Sequence, residues 1–239
     1  MNEHENYASF EEELIGYKDN LRKRLLRYTR RAFRLLPHIT SPRILDVGCG
    51  SGVPTIELAR LSHGKIIAID TDQDQLKRLL ITAKRARLLE YINISNCSML
   101  NMEFEQDSFD IIWAEGSIAV IGFERGIKEW RRFLKPGGFL VVHDDMGNLS
   151  EKSQKISQCG YELLQYFTLN NHIWWDEYYA PLDKKLKEIR QKHPDDQEVN
   201  VILDNDQREI DGFSPEWYRS VFFVMKKLTC YPSVNTNIF

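Results

Sequence analysis

The residues best able to do chemistry lie together in Ile44-Leu45-Asp46-Val47-Gly48-Cys49-Gly50-Ser51-Gly52-Val53-Pro54. Glycines at alternate positions let a backbone turn tightly and bring its amides close to a ligand, and a helix leaving the turn adds donors and a positive dipole end. Spacing narrows the choice of ligand. The dinucleotide fingerprint Gly-x-Gly-x-x-Gly would need its third glycine where Val53 stands, whereas this chain has Gly-x-Gly-x-Gly with Asp46 two residues ahead. A pyrophosphate is repelled by a carboxylate so placed, and a cationic ligand is not. Asp70, eighteen residues after Gly52, ends a second apolar run, where its carboxylate can accept hydrogen bonds from both hydroxyls of a ribose.

Such a turn works only if a strand delivers it and a helix leaves it. Arg43–Val47, Lys65–Ile69, Ile92–Ser95, Phe109–Trp113 and Phe139–His143 are short runs rich in Ile and Val, as strands covered on both faces should be. Residues 54–61, 73–89, 123–134 and 150–158 have helical spacing. Gly64 is expected to close the first of these helices, Thr71 with Asp74 to open the second, and Pro136-Gly137-Gly138 to turn the chain into the fifth strand. The alternation predicts an α/β fold, a doubly wound and mostly parallel sheet with helices on both faces. Then the beat changes. Tyr161–Leu169 and Ser220–Lys226 read as two more strands, separated by a long stretch that holds a helix at Leu182–His193 and an acidic loop ahead of Asp206. Leu14, Tyr17, Leu21, Leu25, Tyr28, Ala32 and Leu35 predict an N-terminal helix, followed by a linker from Pro37 to Pro42, and residues 232–239 read as a frayed end. The expected organisation is a single domain over residues 1–239. It comprises a helical extension (1–40), a core (43–169 and 215–228) and an insertion or lid (170–214).

From Ile44 to about Asp144 these residues resemble the class I, Rossmann-like S-adenosylmethionine-dependent methyltransferases. Asp46 to Gly52 is similar to that family's first motif, and Asp70 to its ribose-binding acid. Phe109-Asp110-Ile111-Ile112-Trp113 resembles the strand before its active-site mouth, and Leu134-Lys135-Pro136-Gly137-Gly138-Phe139-Leu140 its turn into the fifth strand. The resemblance implies a seven-stranded sheet of order 3-2-1-4-5-7-6, with strand 7 antiparallel and the insertion between strands 6 and 7. It also implies S-adenosyl-L-methionine as cofactor, whose sulfonium and amino group tolerate Asp46. The implied contacts are Asp46, Gly48, Cys49, Gly50, Gly52, Asp70, Thr71, Ser98, Met99 and Glu115. Many relatives have an Asp where Ser98 stands; here Ser98 or the Met99 backbone takes the adenine amino group, and Met99 can pack on the adenine face. Ala114-Glu115-Gly116-Ser117-Ile118, followed by Gly122-Phe123-Glu124-Arg125-Gly126, is most similar to the small-molecule members.

Methyl transfer from a sulfonium is a direct displacement, so a site must chiefly align a nucleophile behind the methyl and exclude water. A base is needed only when the acceptor carries a proton. His143, Asp144 and His172 are the candidates, with Asp145 beside them; His143 reads equally well as a core histidine at the end of a buried strand. Glu115 suits a cofactor or mouth contact better than catalysis. The segment Asn170-Asn171-His172-Ile173-Trp174-Trp175-Asp176-Glu177-Tyr178-Tyr179 supplies Trp174, Trp175 and Tyr178 as an aromatic wall for a planar or cationic acceptor, or alternatively as core packing. No Asn-Pro-Pro-Tyr-like segment follows the fourth strand, which disfavours amide or base-amine acceptors by that route.

Partners are bounded by charge. A net charge of −3 conceals a block, Arg22, Lys23, Arg24, Arg27, Arg30, Arg31 and Arg34, that holds no acid from Arg22 to Arg34. It can bind nucleic acid, but a solvated helix face explains it more simply. The favoured partner is therefore a small-molecule methyl acceptor, with RNA or protein methylation and a non-catalytic S-adenosylmethionine-binding protein as alternatives, and NAD-dependent oxidation as a weaker one. Oligomeric state is open. Cys49, Cys97, Cys159 and Cys230 are scattered, without a Cys-x-x-Cys pair, so no metal site or disulfide framework is expected and the cysteines are expected to be reduced and mostly buried. With no secretory leader pattern and no run of about 18 apolar residues, the expected location is cytoplasmic and off the membrane.

Overall fold

In the computed structural model, which describes residues 3–213 and 218–229, the glycine-rich segment leaves the carboxyl end of the central strand. The elements in order are α1 (Glu3–Arg34), β1 (Arg43–Val47), α2 (Val53–Ser62), β2 (Lys65–Asp70), α3 (Gln73–Arg85), β3 (Ile92–Asn96), β4 (Phe109–Glu115), α4 (Phe123–Trp130), β5 (Leu134–Asp145), α5 (Leu149–Gln158) and β6 (Tyr161–Leu169). A short α6 (Asn171–Trp174), a π-helical turn (Trp175–Tyr179), α7 (Ala180–Lys192), α8 (Gln197–Gly212) and β7 (Ser220–Lys227) complete the chain. The seven strands form one sheet of order β3-β2-β1-β4-β5-β7-β6, antiparallel only at β7.

The described residues fall into two compact units. A helical unit comprises Met1–Thr29 and Thr168–Ser220; a sheet unit comprises Arg30–Phe167 and Val221–Phe239. In the sheet unit, Leu45, Val47, Ile69, Ile112, Ala114, Leu140 and Val142 form a buried apolar layer with Phe109, Trp130, Phe133 and Phe223. In the helical unit, Leu14, Leu21, Leu182, Leu186, Leu203 and Ile210 pack together around Tyr178. Each unit thus has its own apolar core, which is what compactness requires.

Several sequence expectations need correction. The stretch read as an acidic loop before Asp206 is α8, capped by Asp196, whose side chain accepts from the Val199 amide at 3.1 Å. Its buried stripe, Val199, Leu203, Asp206 and Ile210, includes an aspartate, which is affordable because Lys18 Nζ lies 2.5 Å from Asp206 Oδ1. The left-handed residue that ends α2 is His63 (φ 49°), not Gly64, and Gly64 instead lies against the Pro42 carbonyl. Asp72, rather than Thr71, caps α3, which ends at Arg85 because Arg87 turns left-handed (φ 58°). The fifth strand begins at Leu134, its pairing with β4 shifting between Phe109↔Leu134 and Ile111↔Phe139 to accommodate Pro136-Gly137-Gly138. Residues 123–134 hold α4 and a 3₁₀ turn, Arg131–Phe133. Cys49 is buried, whereas Cys97 and Cys159 are half-buried. Cys230, the expected frayed end and residues 215–217 of the expected core lie outside the described residues.

Candidate functional site

Strand register builds the site. Asp46 pairs with Ala68 on β2 and with Trp113 on β4, so one step further along the strands Gly48 lies between Asp70 and Glu115. Asp70 pairs in turn with Asn96, and Glu115 with His143. Side chains two apart share a sheet face. Asn96, Asp70, Glu115 and His143 therefore form one row at the carboxyl ends of the strands, where open α/β sheets bind ligands.

Within that row the glycine turn is tied down on one side only. The Gly48 and Cys49 amides both donate to the Ile69 carbonyl, at 2.9 and 3.0 Å, and the Gly50 amide donates to Asp70 Oδ2 at 2.8 Å. Asp70 Oδ1 accepts from the Asp72 amide at 3.0 Å. Each carboxylate oxygen thus uses one lone pair on the protein and keeps another for a ligand hydroxyl. Gly48, Gly50 and Gly52 all have positive φ (72°, 53° and 83°). A Cβ on Gly48 would strike Ser117 and on Gly52 would strike Leu79, but on Gly50 it would meet nothing within 4 Å. The turn is thus packed from behind and open in front at Gly50, and no side chain caps the first turn of α2 behind it.

Asp46 is buried, and its Oδ2 accepts from Thr55 Oγ1 at 2.6 Å. Burial, reinforced by the neighbouring negative charge of Asp70, pushes its carboxyl up to about 7. A carboxylate so short of positive partners suits a cationic ligand. Burial likewise raises the Cys49 thiol, which makes it a packing residue of the turn rather than a nucleophile. Met99 Cε lies 3.4 Å from where a Gly48 Cβ would stand, and Ser98 Oγ accepts from the Leu100 amide at 3.2 Å. Thr71 is exposed and its carbonyl accepts from Asn96 Nδ2 at 3.3 Å.

Sequence reasoning missed the groups that aim these residues. Trp113 Nε1 donates to Glu115 Oε2 at 3.1 Å, and Ser117 Oγ donates to the Val47 carbonyl at 2.5 Å, fastening the loop after β4 to the strand before the turn. The same-face alternation of Trp113 and Glu115 was the available signal for the first; nothing in the sequence marks the second.

The proposed bases are dispersed. His143 is 5 % exposed, its ring stacks on Phe222 at 4.4 Å, and burial holds its imidazole down to about 3, so it stays neutral at physiological pH. Asp144 is buried in an ion pair with Lys152 at 2.6 Å, and Lys152 also reaches the Asp145 carbonyl. His172 is exposed in the helical unit, its amide donating to the Asn170 side chain at 3.2 Å. Trp174 and Trp175 are half-buried there, and Tyr178 is 2 % exposed within that unit's core. The basic block is largely committed. Arg27 pairs with Glu177 and Arg30 with Glu57, while the Arg31 guanidinium carbon lies 4.0 Å from the Phe167 ring centroid. Among the described residues, no helix is long and apolar enough to cross a membrane.

Residues 44–138, the strands and turn just described, match the family "Methyltransferase domain". The chain carries a class I S-adenosylmethionine-dependent methyltransferase domain. It is 26 % identical over 177 residues to 27-O-demethylrifamycin SV methyltransferase of Amycolatopsis mediterranei, covering 70 % of this chain and 63 % of that relative. The chain spans less than two thirds of the length of such curated relatives. Among solved structures, the domain's fold resembles that of the 4+2 cyclase SpnF, with a TM-score of 0.71 at 19 % identity over 85 % of this chain and 81 % of that one. It also resembles a putative sarcosine dimethylglycine methyltransferase from Galdieria sulphuraria, with a TM-score of 0.68 at 18 % identity over 90 % and 86 %.

Proposed function

We propose that the chain transfers a methyl group directly from S-adenosylmethionine to a small-molecule acceptor. The observation that carries this reading is the glycine turn anchored through Gly50 to Asp70, open in front of Gly50 and backed by a buried carboxyl at Asp46. Asp70 would hold the ribose, while the amides of the turn and Asp46 would face the charged methionyl arm. Ser98 and Met99 would meet the adenine, with Cys49, Gly48, Gly52, Thr71 and Glu115 completing the contact. Bound there, the cofactor supplies an electrophilic methyl on a sulfonium. The protein's own task is to position and desolvate, which suits a site whose His143 is a poor base and whose Asp144 is already paired. His143, Asp144 and His172 remain the base candidates for acceptors that must lose a proton, and Trp174, Trp175 and Tyr178 the acceptor-side residues.

Relatives support the acceptor class: one methylates a demethylrifamycin by name, and a neighbour in fold is named for sarcosine and dimethylglycine. The internal pairing of Arg27 and Arg30 weakens the case for RNA. Scattered cysteines fit a cytoplasmic setting.

Calorimetric titration with S-adenosylmethionine, S-adenosylhomocysteine and NAD tests the reading. The two sulfur nucleotides are expected to bind and NAD is not. In Asp70→Ala, affinity should fall by about 2 kcal/mol, because a charge-assisted pair of hydrogen bonds is lost. Binding of NAD alone would replace the reading with oxidoreduction, and cofactor binding without transfer to any acceptor would make the protein a binding module.

A further inference from the structure

α3 presents to solvent a face that the cofactor site does not use. Its inner stripe, Leu76, Leu79 and Ala83, is buried. At the centre of the opposite face stands Ile81, 45 % exposed, and beside it Leu80, 49 % exposed. Residues three and four apart are neighbours on a helix surface, so Ile81 is ringed by Lys77, Arg78, Lys84 and Arg85. Asp74, in the first turn, is the only acid of the helix. It pairs with Lys77 at 2.7 Å and feels the charge of Arg78, and the next acid in the chain is Glu90. Arg87 and Leu89, both exposed, continue the same composition just past the helix.

Two ordinary reasons for such residues each explain only part of the face. Bases in a last helical turn complement the helix dipole, which accounts for Lys84 and Arg85 but not for Lys77 and Arg78 in the first half of the helix. A solvated face accounts for the charges but not for the aliphatic side chains among them. Of the seven large apolar side chains exposed among the described residues, Leu80, Ile81 and Leu89 fall within ten residues here, so the exposure is concentrated. Beside Leu80, a groove of about 490 Å³ between α3 and the edge strand β3, to which Ile92 and Ile94 contribute, adds further apolar surface.

Charge and apolar surface together define the partner. The chain as a whole carries a net charge of −3, so an anionic partner is attracted only by a local patch of this kind. The basic block of α1 is not equivalent, since Arg27 and Arg30 are paired with acids and Arg31 lies over Phe167. A nucleic acid would satisfy the charges of α3, but aliphatic side chains at the centre of the face offer its phosphates nothing and its bases no ring to stack on. A bilayer with anionic lipids satisfies both: its headgroups meet the bases, while Leu80 and Ile81 enter the boundary between headgroups and acyl chains. Docking of this kind is peripheral and needs no membrane-crossing helix, of which the described residues hold none.

We propose that the outer face of α3, Leu80 and Ile81 within Lys77, Arg78, Lys84 and Arg85, docks on an anionic lipid surface. The proposal is independent of the methyl-transfer reading. α3 is capped by Asp72, two residues after Asp70, so the docking face and the glycine turn belong to the same unit.

The test is flotation of the whole chain with vesicles of phosphatidylcholine alone and with vesicles that also contain about 30 % phosphatidylserine. The chain is expected to bind the second, and the first at least about tenfold more weakly. Raising salt from about 0.1 M to about 1 M, which shortens the screening length from about 10 Å to about 3 Å, should release it. Lys84→Gln together with Arg85→Gln should weaken binding about tenfold or more, and Ile81→Ser about threefold or more with no change of charge. Lys184→Gln together with Lys187→Gln, the same loss of charge from exposed lysines of α7, should leave binding within about twofold. Unchanged thermal midpoints show that the variants are folded. Failure to prefer the anionic vesicles overturns the proposal, as does equal weakening by the α3 and α7 pairs, which would make binding a matter of overall charge. Insensitivity to Ile81→Ser overturns it too, because the apolar centre would then have no part. Binding to a single-stranded oligonucleotide in place of vesicles, lost in the Lys84 and Arg85 pair, would assign the face to nucleic acid instead.

Discussion

Asp46 carries more consequence than its position ahead of a glycine turn suggests. Its carboxyl is buried with a single hydroxyl donor, and its pKa of about 7 means that the cofactor-free fold holds a proton which an unfolded chain, titrating near 3.8, gives up. The group's contribution to stability is therefore largest below about pH 4, declines as pH rises to about 7, and is constant above that. A cation arriving beside Asp46 reverses the preference and expels the proton. S-adenosylmethionine affinity should thus rise with pH, by up to about tenfold per unit between pH 5 and pH 7, and level off above. Asp46→Asn should flatten the curve; a wild-type affinity independent of pH over that range would place the cofactor's charge elsewhere. Gln75 shows the opposite side of polar burial. Its Oε1 is buried without a hydrogen-bond partner on the first turn of α3. Gln75→Met keeps the shape and removes the orphaned acceptor, so thermal unfolding should show a gain of about 1 kcal/mol. Asp46, Gly50 and Asp70 were legible because their types and spacing are the motif. Gln75 and the bond from Ser117 to the Val47 carbonyl were not, since both depend on which way a side chain points once the chain has packed.

At the level of elements, the glycine turn and the α2–β2 connection separate function from stability. Gly50 and Gly64 are both glycines next to α2, yet a Cβ at Gly50 would meet nothing within 4 Å, whereas one at Gly64 would come 2.1 Å from the Pro42 carbonyl oxygen. Gly50→Ala should therefore cost only the strain of a left-handed alanine, about 1 kcal/mol, while sharply lowering S-adenosylmethionine affinity. Gly64→Ala should be the more destabilising, by 2 kcal/mol or so, because backbone cannot yield as a side chain can. Any soluble Gly64→Ala protein should bind cofactor normally. Denaturation midpoints and titrations on the two variants check this, and equal affinities would remove Gly50 from the site. The strands and most helices could be read in advance because Ile and Val runs and helical spacing report burial directly. α8 could not be: five of its sixteen residues are Asp or Asn, poor helix formers, and its stripe of Val199, Leu203, Asp206 and Ile210 includes an acid whose partner, Lys18, is far away in sequence.

For the whole molecule, the issue is how far a ligand held by one unit stabilises the other. Every residue proposed to contact the cofactor belongs to the sheet unit, while the helical unit has an apolar core of its own in which Leu182, Leu186 and Leu203 are buried. A ligand that binds only the folded state stabilises it by about 2.7 kcal/mol at a hundredfold excess over its dissociation constant. In saturating S-adenosylhomocysteine, hydrogen exchange at the amides of Leu45, Ile69 and Ile112 should therefore slow by about a hundredfold where exchange requires the sheet unit to open. Because each unit has its own core, exchange at Leu182, Leu186 and Leu203 is expected to change little on adding the same ligand. Equal slowing in both units would show that the chain opens as a single cooperative structure.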